Sequence, residues 1–385
     1  MQFKVNASVE LILLIIYALM WSVVPLYALF STYILYASGL TLIEIGAFST
    51  SYNIASMMGQ YSLGYLSDIM KSRRRVIIID LLSAALITLL LMLNLRVSYY
   101  VLSSIIMGFL AGGFSTLMLA SSSEISVVKL GRSISVVRIG GAIGWIGGSL
   151  VIPLIIVKSS LGYALLFALI ELLMALTIAA LMLKETYSTR FTTRLTLSTW
   201  AALSLYSLIA GLTISSASWF LPVYVFIKHG SILYLGEVIA AGATAEVPTM
   251  IITGRLFDSS LIFRKYLFII NGLVLSLAFT LYSLIPLSAL YLAQVVRGIG
   301  YALFIVSTPA LLMSLGVERG KGSAVFFTMF SMGSILGGLI GGAISTVIGV
   351  RNLFILLSIL FLLVSLIMNT ALRSRINEIQ QSLMH

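Results

Sequence analysis

The sequence predicts an all-α membrane protein with twelve transmembrane helices, arranged as two parallel six-helix repeats. Of the 385 residues, 60% are hydrophobic and only 9% are charged, whereas about a quarter of the residues of a soluble domain are charged. Long stretches contain no Asp, Glu, Lys or Arg, and most basic residues lie in alternate loops between them. A short glycine-containing pattern also recurs in the second half of the chain.

The uncharged stretches are long enough to cross a bilayer, because ~20 helical residues span its core. They cover residues 11–43, 97–123, 195–227, 266–296 and 352–372. The first is too long for the apolar core of a signal peptide, so we expect it to be retained. Charged clusters and turn residues divide the chain into spans near 10–37, 43–66, 76–95, 98–123, 133–157 and 161–183, and near 196–227, 233–256, 266–284, 288–314, 323–348 and 352–372.

This division predicts an N-terminal bundle at 1–184, a cytoplasmic linker at 185–195, and a C-terminal bundle with a short cytoplasmic tail at 196–385. Of the 23 Lys and Arg residues, 17 fall in loops on one side of the membrane and 4 on the other, while Arg138 and Arg297 lie inside spans. Cytoplasmic loops are enriched in Lys and Arg. We therefore predict a multi-pass protein of the cell membrane with both termini in the cytoplasm.

The composition also disfavours several kinds of site. The net charge of +11 is explained by the loops, so we expect the lipid bilayer and not nucleic acid as the partner of these charges. The chain has no Cys and only two His, His229 and His385, which disfavours metal centres and nucleophilic catalysis. The glycine runs at 140–148 and 333–342 lack the Gly-Lys-Ser/Thr of a phosphate loop and indicate close helix packing. We predict no enzyme activity, no cofactor and no metal, and we disfavour a channel or scaffold.

The two halves of the chain repeat each other. One pattern is found twice at an offset of 190: Gly64, Leu66 and Asp68 correspond to Gly254, Leu256 and Asp258. The stretch at 140–144 aligns with 333–337 at an offset of 193, which a small difference in loop length explains. Duplicated bundles of this kind are expected to enclose a binding site at their interface, near the middle of the membrane.

These residues resemble the signature of the major facilitator superfamily, a Gly-x-Leu-x-Asp stretch after the second helix followed by basic residues. Arg73 follows the first copy and Arg264 the second, although Ile69 and Lys71 depart from the usual pattern. The resemblance covers essentially the whole chain. It implies that Asp68 and Arg73 pair in one conformation and separate in the other, as a gate. The alternative is that the arginines only anchor the topology.

The fifth span resembles the segment that sugar and nucleoside proton symporters of this superfamily carry. That resemblance implies that Arg138 binds substrate hydroxyls and that Trp145 stacks on a ring, although Ala120 stands where lactose permease has an acid. Alternatively, Arg138 reaches back to the cytoplasmic surface. Aromatic residues of the first and seventh spans are further candidates for the cavity wall, with helix packing as the alternative: Tyr17, Trp21, Tyr27, Tyr206 and Trp219.

The eighth span carries Glu246 in a Glu-x-Pro-x-Met stretch similar to that of the same symporters. A rise of ~1.5 Å per residue places Glu246 ~20 Å from the outer end of its helix, where an acid is costly unless it is paired, protonated or in water. Arg297 lies at a comparable depth, and we hypothesise that the two form a proton-coupling pair. A permanent structural ion pair is the rival. Glu171 is expected to have a partner or to face lipid, and Asp80 to pair with the basic loop.

The predicted function is proton-coupled movement of a small organic solute by alternating access, with a sugar-like or nucleoside-like substrate favoured. The alternative is a proton-driven drug or metabolite efflux antiporter. Gly131, Gly140 and Gly144 keep the glycine spacing of such antiporters, but Trp145 replaces their proline. The expected partners are the solute and protons, and the sequence indicates no obligatory protein partner.

Overall fold

The computed structural model describes the backbone of residues 2–125, 130–187, 197–229, 231–314 and 319–382, and all its regular elements there are helical. The first six membrane helices comprise α1 (Gln2–Tyr27) with α2 (Leu29–Ala37), α3 (Leu42–Ile69), α4 (Arg73–Leu93), α5 (Val97–Ile125), α6 (Leu130–Lys158) and α7 (Leu161–Met182). The second six are α8 (Leu197–His229), α9 (Ile232–Ser259), α10 (Leu261–Leu284), α11 (Leu290–Ser314), α12 (Arg319–Ile348) and α13 (Val350–Ser382). A 3₁₀ turn, Leu287–Ala289, precedes α11.

The architecture confirms the prediction of twelve membrane helices in two six-helix repeats. Eleven of the described segments are long and apolar enough to cross a membrane by length and composition alone. Helix α3 is the twelfth and falls short because its middle is rich in Ser, Thr, Asn and Gln. These polar residues include Thr50, Asn53 and Gln60, which hydrogen-bond to the other half of the protein. The lower hydropathy of α3 therefore reflects its position at the interface between the halves.

The first span is one predicted helix but two observed ones. Pro25 lies in the last turns of α1 and donates no backbone hydrogen bond, and the chain leaves helical geometry at Ala28 (φ −102°, ψ −82°). Near the break, the Leu26 carbonyl accepts hydrogen bonds from the Tyr100 hydroxyl at 2.6 Å and from Ser31 Oγ at 3.1 Å. These side chains give a buried carbonyl partners that a broken helix cannot supply.

Glycines at matching positions pack the helices of each half together. A Cβ on Gly140, Gly144 or Gly148 of α6 would collide with α1, and one on Gly333, Gly337 or Gly341 of α12 would meet α8. In the first half Gly108 contacts Tyr52, and in the second half Gly298 contacts Gly242. Each residue of the second contact lies 190 positions after its counterpart in the first. The prediction that the glycine runs pack helices closely is confirmed.

The two halves meet along three seams. Helix α3 lies against α12, where Gly46 approaches Gly338 and Gly342. Helix α6 lies against α9, and α2 against α8, where Tyr33 and Tyr36 each contact Phe226 edge-on. We call the side of the protein that carries the loop 70–72 and Glu185 the basic face, and the opposite side, with α2, the far face. A cavity lies between the seams.

Candidate functional site

The cavity between the two halves has a volume of about 260 Å³ and is lined by residues from both repeats. Six residues predicted for substrate binding or proton coupling line it: Trp21, Arg138, Trp145, Trp219, Glu246 and Arg297. Tyr17 lines it as well. The predicted aromatic and charged candidates therefore converge, with the exception of Tyr206 and Tyr27.

Tyr206 is not a cavity residue, so its prediction as a substrate contact is wrong. Its side chain has no exposed surface and packs against Phe268 at a ring-centroid distance of 4.8 Å, and against Phe304 and Phe361. It belongs to the aromatic core of the C-terminal half. Tyr27 is likewise buried, and its hydroxyl donates to Thr88 Oγ1 at 2.9 Å.

Glu246 of α9 and Arg297 of α11 form a direct ion pair on the cavity wall. Arg297 Nη2 donates to Glu246 Oε1 at 2.6 Å, and the two side chains are only 12% and 9% exposed. The guanidinium also lies over the Tyr301 ring, 5.3 Å from its centroid. Arg297 Nε has no hydrogen-bond partner among the described residues. Arg138 of α6 is close enough to Glu246 to interact with it electrostatically.

Two aromatic groups line the cavity. In the N-terminal half, Trp21 lies 5.4 Å from Trp145 and contacts Tyr17 edge-on at 5.6 Å, measured between ring centroids. Gly141 makes room for them, since a Cβ there would lie 2.9 Å from a Tyr17 ring carbon. Trp219 of α8 contacts Tyr52 of α3 at 5.1 Å. Such faces suit a flat or ring-shaped solute.

Asn53 links the halves at the cavity and was missed by the sequence analysis. Its Nδ2 donates to the Ser334 carbonyl at 3.2 Å and lies 3.4 Å from Ser215 Oγ. All three residues line the cavity. The only signal in the sequence is an amide in the middle of a membrane helix, which is expensive unless it bonds to a neighbour or faces water.

The predicted contact between Asp68 and Arg73 is present on the basic face. Arg73 Nη1 lies 2.7 Å from Asp68 Oδ1, and Nη2 lies 3.1 Å from Glu124 Oε1. Arg73 also donates to Ser67 Oγ and stacks over Tyr187 at 5.0 Å. Glu124, which the sequence analysis did not assign to this cluster, makes Arg73 a bridge between α3 and α5.

Glu185 fastens the start of the linker to the same place. Its carboxylate accepts hydrogen bonds from the Ser72 hydroxyl and from the Arg73 backbone N–H, the latter at 2.9 Å. Partial burial acts to raise the pKa of this carboxyl, but the hydrogen bonds from Ser72, Tyr187, Arg73 and Thr186 outweigh it and lower the pKa. We call Asp68, Arg73 and Glu124 the gate cluster. Ionised Glu185 thus connects the loop 70–72, the gate cluster and the linker.

The second copy of the gating pattern makes different contacts. Arg264 donates to the main-chain carbonyls of Phe257 at 2.5 Å and Asp258 at 3.1 Å. Leu256 is 38% exposed. In the first copy, Leu66 packs against the core, but a Cβ on Gly64 would make only an ordinary 3.7 Å contact with Thr116. The close approach of α3 to α5 occurs at Gly59 and Gly112 instead.

Two further acids depart from simple expectations. Asp80 is 1% exposed and neither carboxyl oxygen has a hydrogen-bond partner among the described residues. The prediction that Asp80 pairs with the basic loop is therefore wrong. Glu171 has a partner, since Ser22 Oγ of α1 lies 3.2 Å from its Oε2.

A helical membrane protein whose two repeats enclose a cavity lined by aromatic side chains and a buried ion pair is a transporter in class, not an enzyme. The chain matches the family model described as Major Facilitator Superfamily over residues 11–316 and 259–378. It belongs to that superfamily, and the resemblance seen in the sequence is confirmed. No curated protein sequence matches the chain.

Solved structures share this fold at low sequence identity. The human organic anion transporter MFSD10 (TETRAN) is 16% identical with a TM-score of 0.73, and the match covers 94% of this chain and 99% of that one. A mutant of the nucleoside transporter NupG is 17% identical with a TM-score of 0.72, covering 94% and 98%. A bacterial homologue of the human lysosomal transporter Spinster is 12% identical with a TM-score of 0.68, covering 96% and 97%.

Proposed function

We propose that this secondary transporter couples the movement of a small organic solute to protons, by alternating access across the cell membrane with both termini in the cytoplasm. A solute with a hydroxylated ring, such as a sugar or a nucleoside, is favoured. The observation that carries the proposal is the buried ion pair of Glu246 and Arg297 on the cavity wall. A titratable acid at this depth is costly, and here it faces the space that a solute would occupy.

Protonation of Glu246 gives the pair two states. With the carboxylate ionised, Arg297 is held at 2.6 Å by a charge-assisted hydrogen bond. When Glu246 takes a proton, its negative charge is lost. The contact then becomes a weaker hydrogen bond from Arg297 to a neutral acceptor. The guanidinium then becomes available to the solute, so proton binding and solute binding are linked through one residue.

The gate cluster provides the conformational part of the cycle. Arg73 joins Asp68 of α3 to Glu124 of α5, and Glu185 holds the linker beside it. On the far face, Tyr33 and Tyr36 of α2 contact Phe226 of α8 across the interface. Alternating access requires one set of contacts to separate as the other forms.

The cavity wall supports a ring-shaped solute. Trp21 and Trp145 offer aromatic faces, while Asn53, Ser215 and Ser218 offer hydrogen-bonding groups. The names of the neighbours differ in substrate, one being an organic anion transporter and another a nucleoside transporter, so likeness of fold does not choose between them. The alternative is a proton-driven efflux antiporter. It would use the same ion pair, but proton binding to Glu246 would then favour release of the solute instead of its binding.

The test is a change of internal pH in proteoliposomes when pools of sugars, nucleosides, organic acids or cationic drugs are added outside. We expect one pool to drive protons across the membrane, and Glu246→Gln to abolish that signal. Glu237→Gln is the matched control, because Glu237 is an exposed acid on the same helix. A proton signal of the same size in Glu246→Gln would refute the coupling role.

A further inference from the structure

The charged residues of the cavity do not balance. Among the described residues that line it, Arg138 and Arg297 are cationic and Glu246 is the single acid. With ionised Glu246 these lining side chains sum to a formal charge of +1, and with protonated Glu246 they sum to +2. An unbalanced charge is unfavourable in a membrane interior, and a bound anion is the simplest group that removes it.

The geometry of the pair leaves the guanidinium of Arg297 partly exposed on the cavity wall. Glu246 Oε1 takes its Nη2 donor, and the Arg297 side chain remains 12% exposed among the lining residues. Arg138 interacts electrostatically with the same carboxyl and with Tyr301. The Glu246 carboxylate is therefore bound directly by Arg297 and lies within electrostatic reach of Arg138, and guanidinium binds carboxylates through a fork of paired donors.

Arg138 and Trp145 lie on one face of α6, since they are seven residues apart. That spacing separates them by ~10 Å along the helix axis, and Gly141 stands between them against Tyr17. The N-terminal wall therefore has a cationic end and an aromatic end. A solute that satisfies both carries a negative group at one end and a ring at the other.

We infer that the solute is an organic monoanion, with its carboxylate held by Arg138 and Arg297 and its ring against Trp21 and Trp145. The inference rests on the proposed function and narrows it, because a hydroxylated ring bearing a carboxylate fits both. It also disfavours cationic drugs as substrates, since a cation would add to the positive excess.

Binding of a monoanion determines the charge that each transport cycle moves. The empty cavity with ionised Glu246 has an excess of one positive charge. After it takes one proton and one monoanion, the excess is again one. Solute entry with one proton is then electroneutral. The titratable or charged groups that face Glu246 are Arg297 and Tyr301 of α11, Arg138 of α6 and Tyr282 of α10, and of these only the arginines carry charge at neutral pH.

The experiment compares probes that share a ring and carry an anionic, a neutral or a cationic form of it. In the first series the anion is nicotinate, the neutral probe is nicotinamide, and the cation is nicotinamide methylated on its ring nitrogen. In the second series these are glucuronate, glucose and glucosamine. Binding is followed in detergent by tryptophan fluorescence, because Trp21, Trp145 and Trp219, three of the four tryptophans, line the cavity. We expect the anion of at least one series to bind ~10-fold or more tightly than its neutral partner, as for a hydrogen bond to a charged group.

Arg138→Gln should remove most of this preference and Arg138→Lys should retain part of it. The control is Arg351→Gln, which removes the same charge from an exposed site on α13 that donates to the Ser283 carbonyl. Equal or tighter binding of the neutral or cationic probes, or no binding of either anion, would overturn the inference. Binding in detergent needs no proton gradient, so anion preference can hold or fail independently of proton coupling.

Discussion

Two adjacent glycines of α6 test the close packing of α1 and α6 with a built-in control. A Cβ on Gly148 would overlap the Ser22 carbonyl oxygen and lie 3.0 Å from the Ser22 Cα, whereas a Cβ on Gly147 would meet no described atom within 4 Å. Carbon atoms prefer a separation of ~3.5–4.0 Å. Because the overlap with the carbonyl oxygen is deeper than the contact with Cα, the Gly148→Ala variant must push α1 and α6 apart by ~1 Å or more, while Gly147→Ala needs no shift.

The two variants share the same gain in helix propensity, so their difference isolates packing. Gly→Ala stabilises a helix interior by roughly 0.5–1 kcal/mol, and overpacking costs about 1–3 kcal/mol. We expect Gly148→Ala to be less stable than Gly147→Ala by about 1–3 kcal/mol. Thermal unfolding of both purified variants in one detergent measures the order. If Gly148→Ala unfolds at the same temperature as Gly147→Ala, the described contact between α1 and α6 is wrong.

Three further predictions follow from the gate cluster, the linker and the aromatic residues. Asp68→Asn removes one of the two carboxylates that hold Arg73, so transport should fall while fluorescence-detected binding in the distant cavity stays within about twofold; a matching loss of binding would contradict a gating role. Because hydrogen bonds lower the pKa of Glu185, its contribution to stability is present above the unfolded-state pKa and is lost as pH falls through the folded-state pKa. Glu185→Gln should therefore flatten the acid limb of a stability profile, and an unchanged limb would refute this. Trp145→Phe should weaken solute binding and Tyr206→Phe should not, because Trp145 lines the cavity and Tyr206 does not. Equal effects of the two variants in a binding titration would speak against Trp145 as a solute contact.

Much of the fold follows from features that the sequence displays directly. The offsets of 190 and 193 between the halves reappear as equivalent helix contacts, such as Gly108 with Tyr52 and Gly298 with Gly242. Glu246 and Arg297 are conspicuous because charges inside apolar spans are rare and need a partner. Their similar depth was sufficient to predict the contact.

The orientation of helix faces was harder to predict. Tyr206 and Trp219 lie on the same helix, but thirteen residues at 100° per residue place them ~140° apart around its axis. They could not both face the cavity. Of the two, Trp219 lines it. Membrane helices have apolar residues on both their lipid and core faces, so hydrophobic periodicity does not choose between faces.

Contacts between distant segments were the least predictable. Glu124 and Glu185 join Arg73 and Ser72 only because α5 and the end of α7 return to the basic face. The break at Ala28 depends on Tyr100 and Ser31 to receive the freed carbonyl of Leu26. Asp80 was expected to reach the basic loop from its place in sequence, yet it lies buried inside the bundle.

The most direct test of proton coupling separates exchange from accumulation in Glu246→Gln proteoliposomes. The probe is the labelled solute that triggers a proton signal in the native protein. The account predicts that Glu246→Gln still exchanges this solute across the membrane but no longer accumulates it when a proton gradient is imposed, while Glu237→Gln does both. Gradient-driven accumulation by Glu246→Gln at the native level would contradict the account and leave the ion pair with Arg297 a structural one.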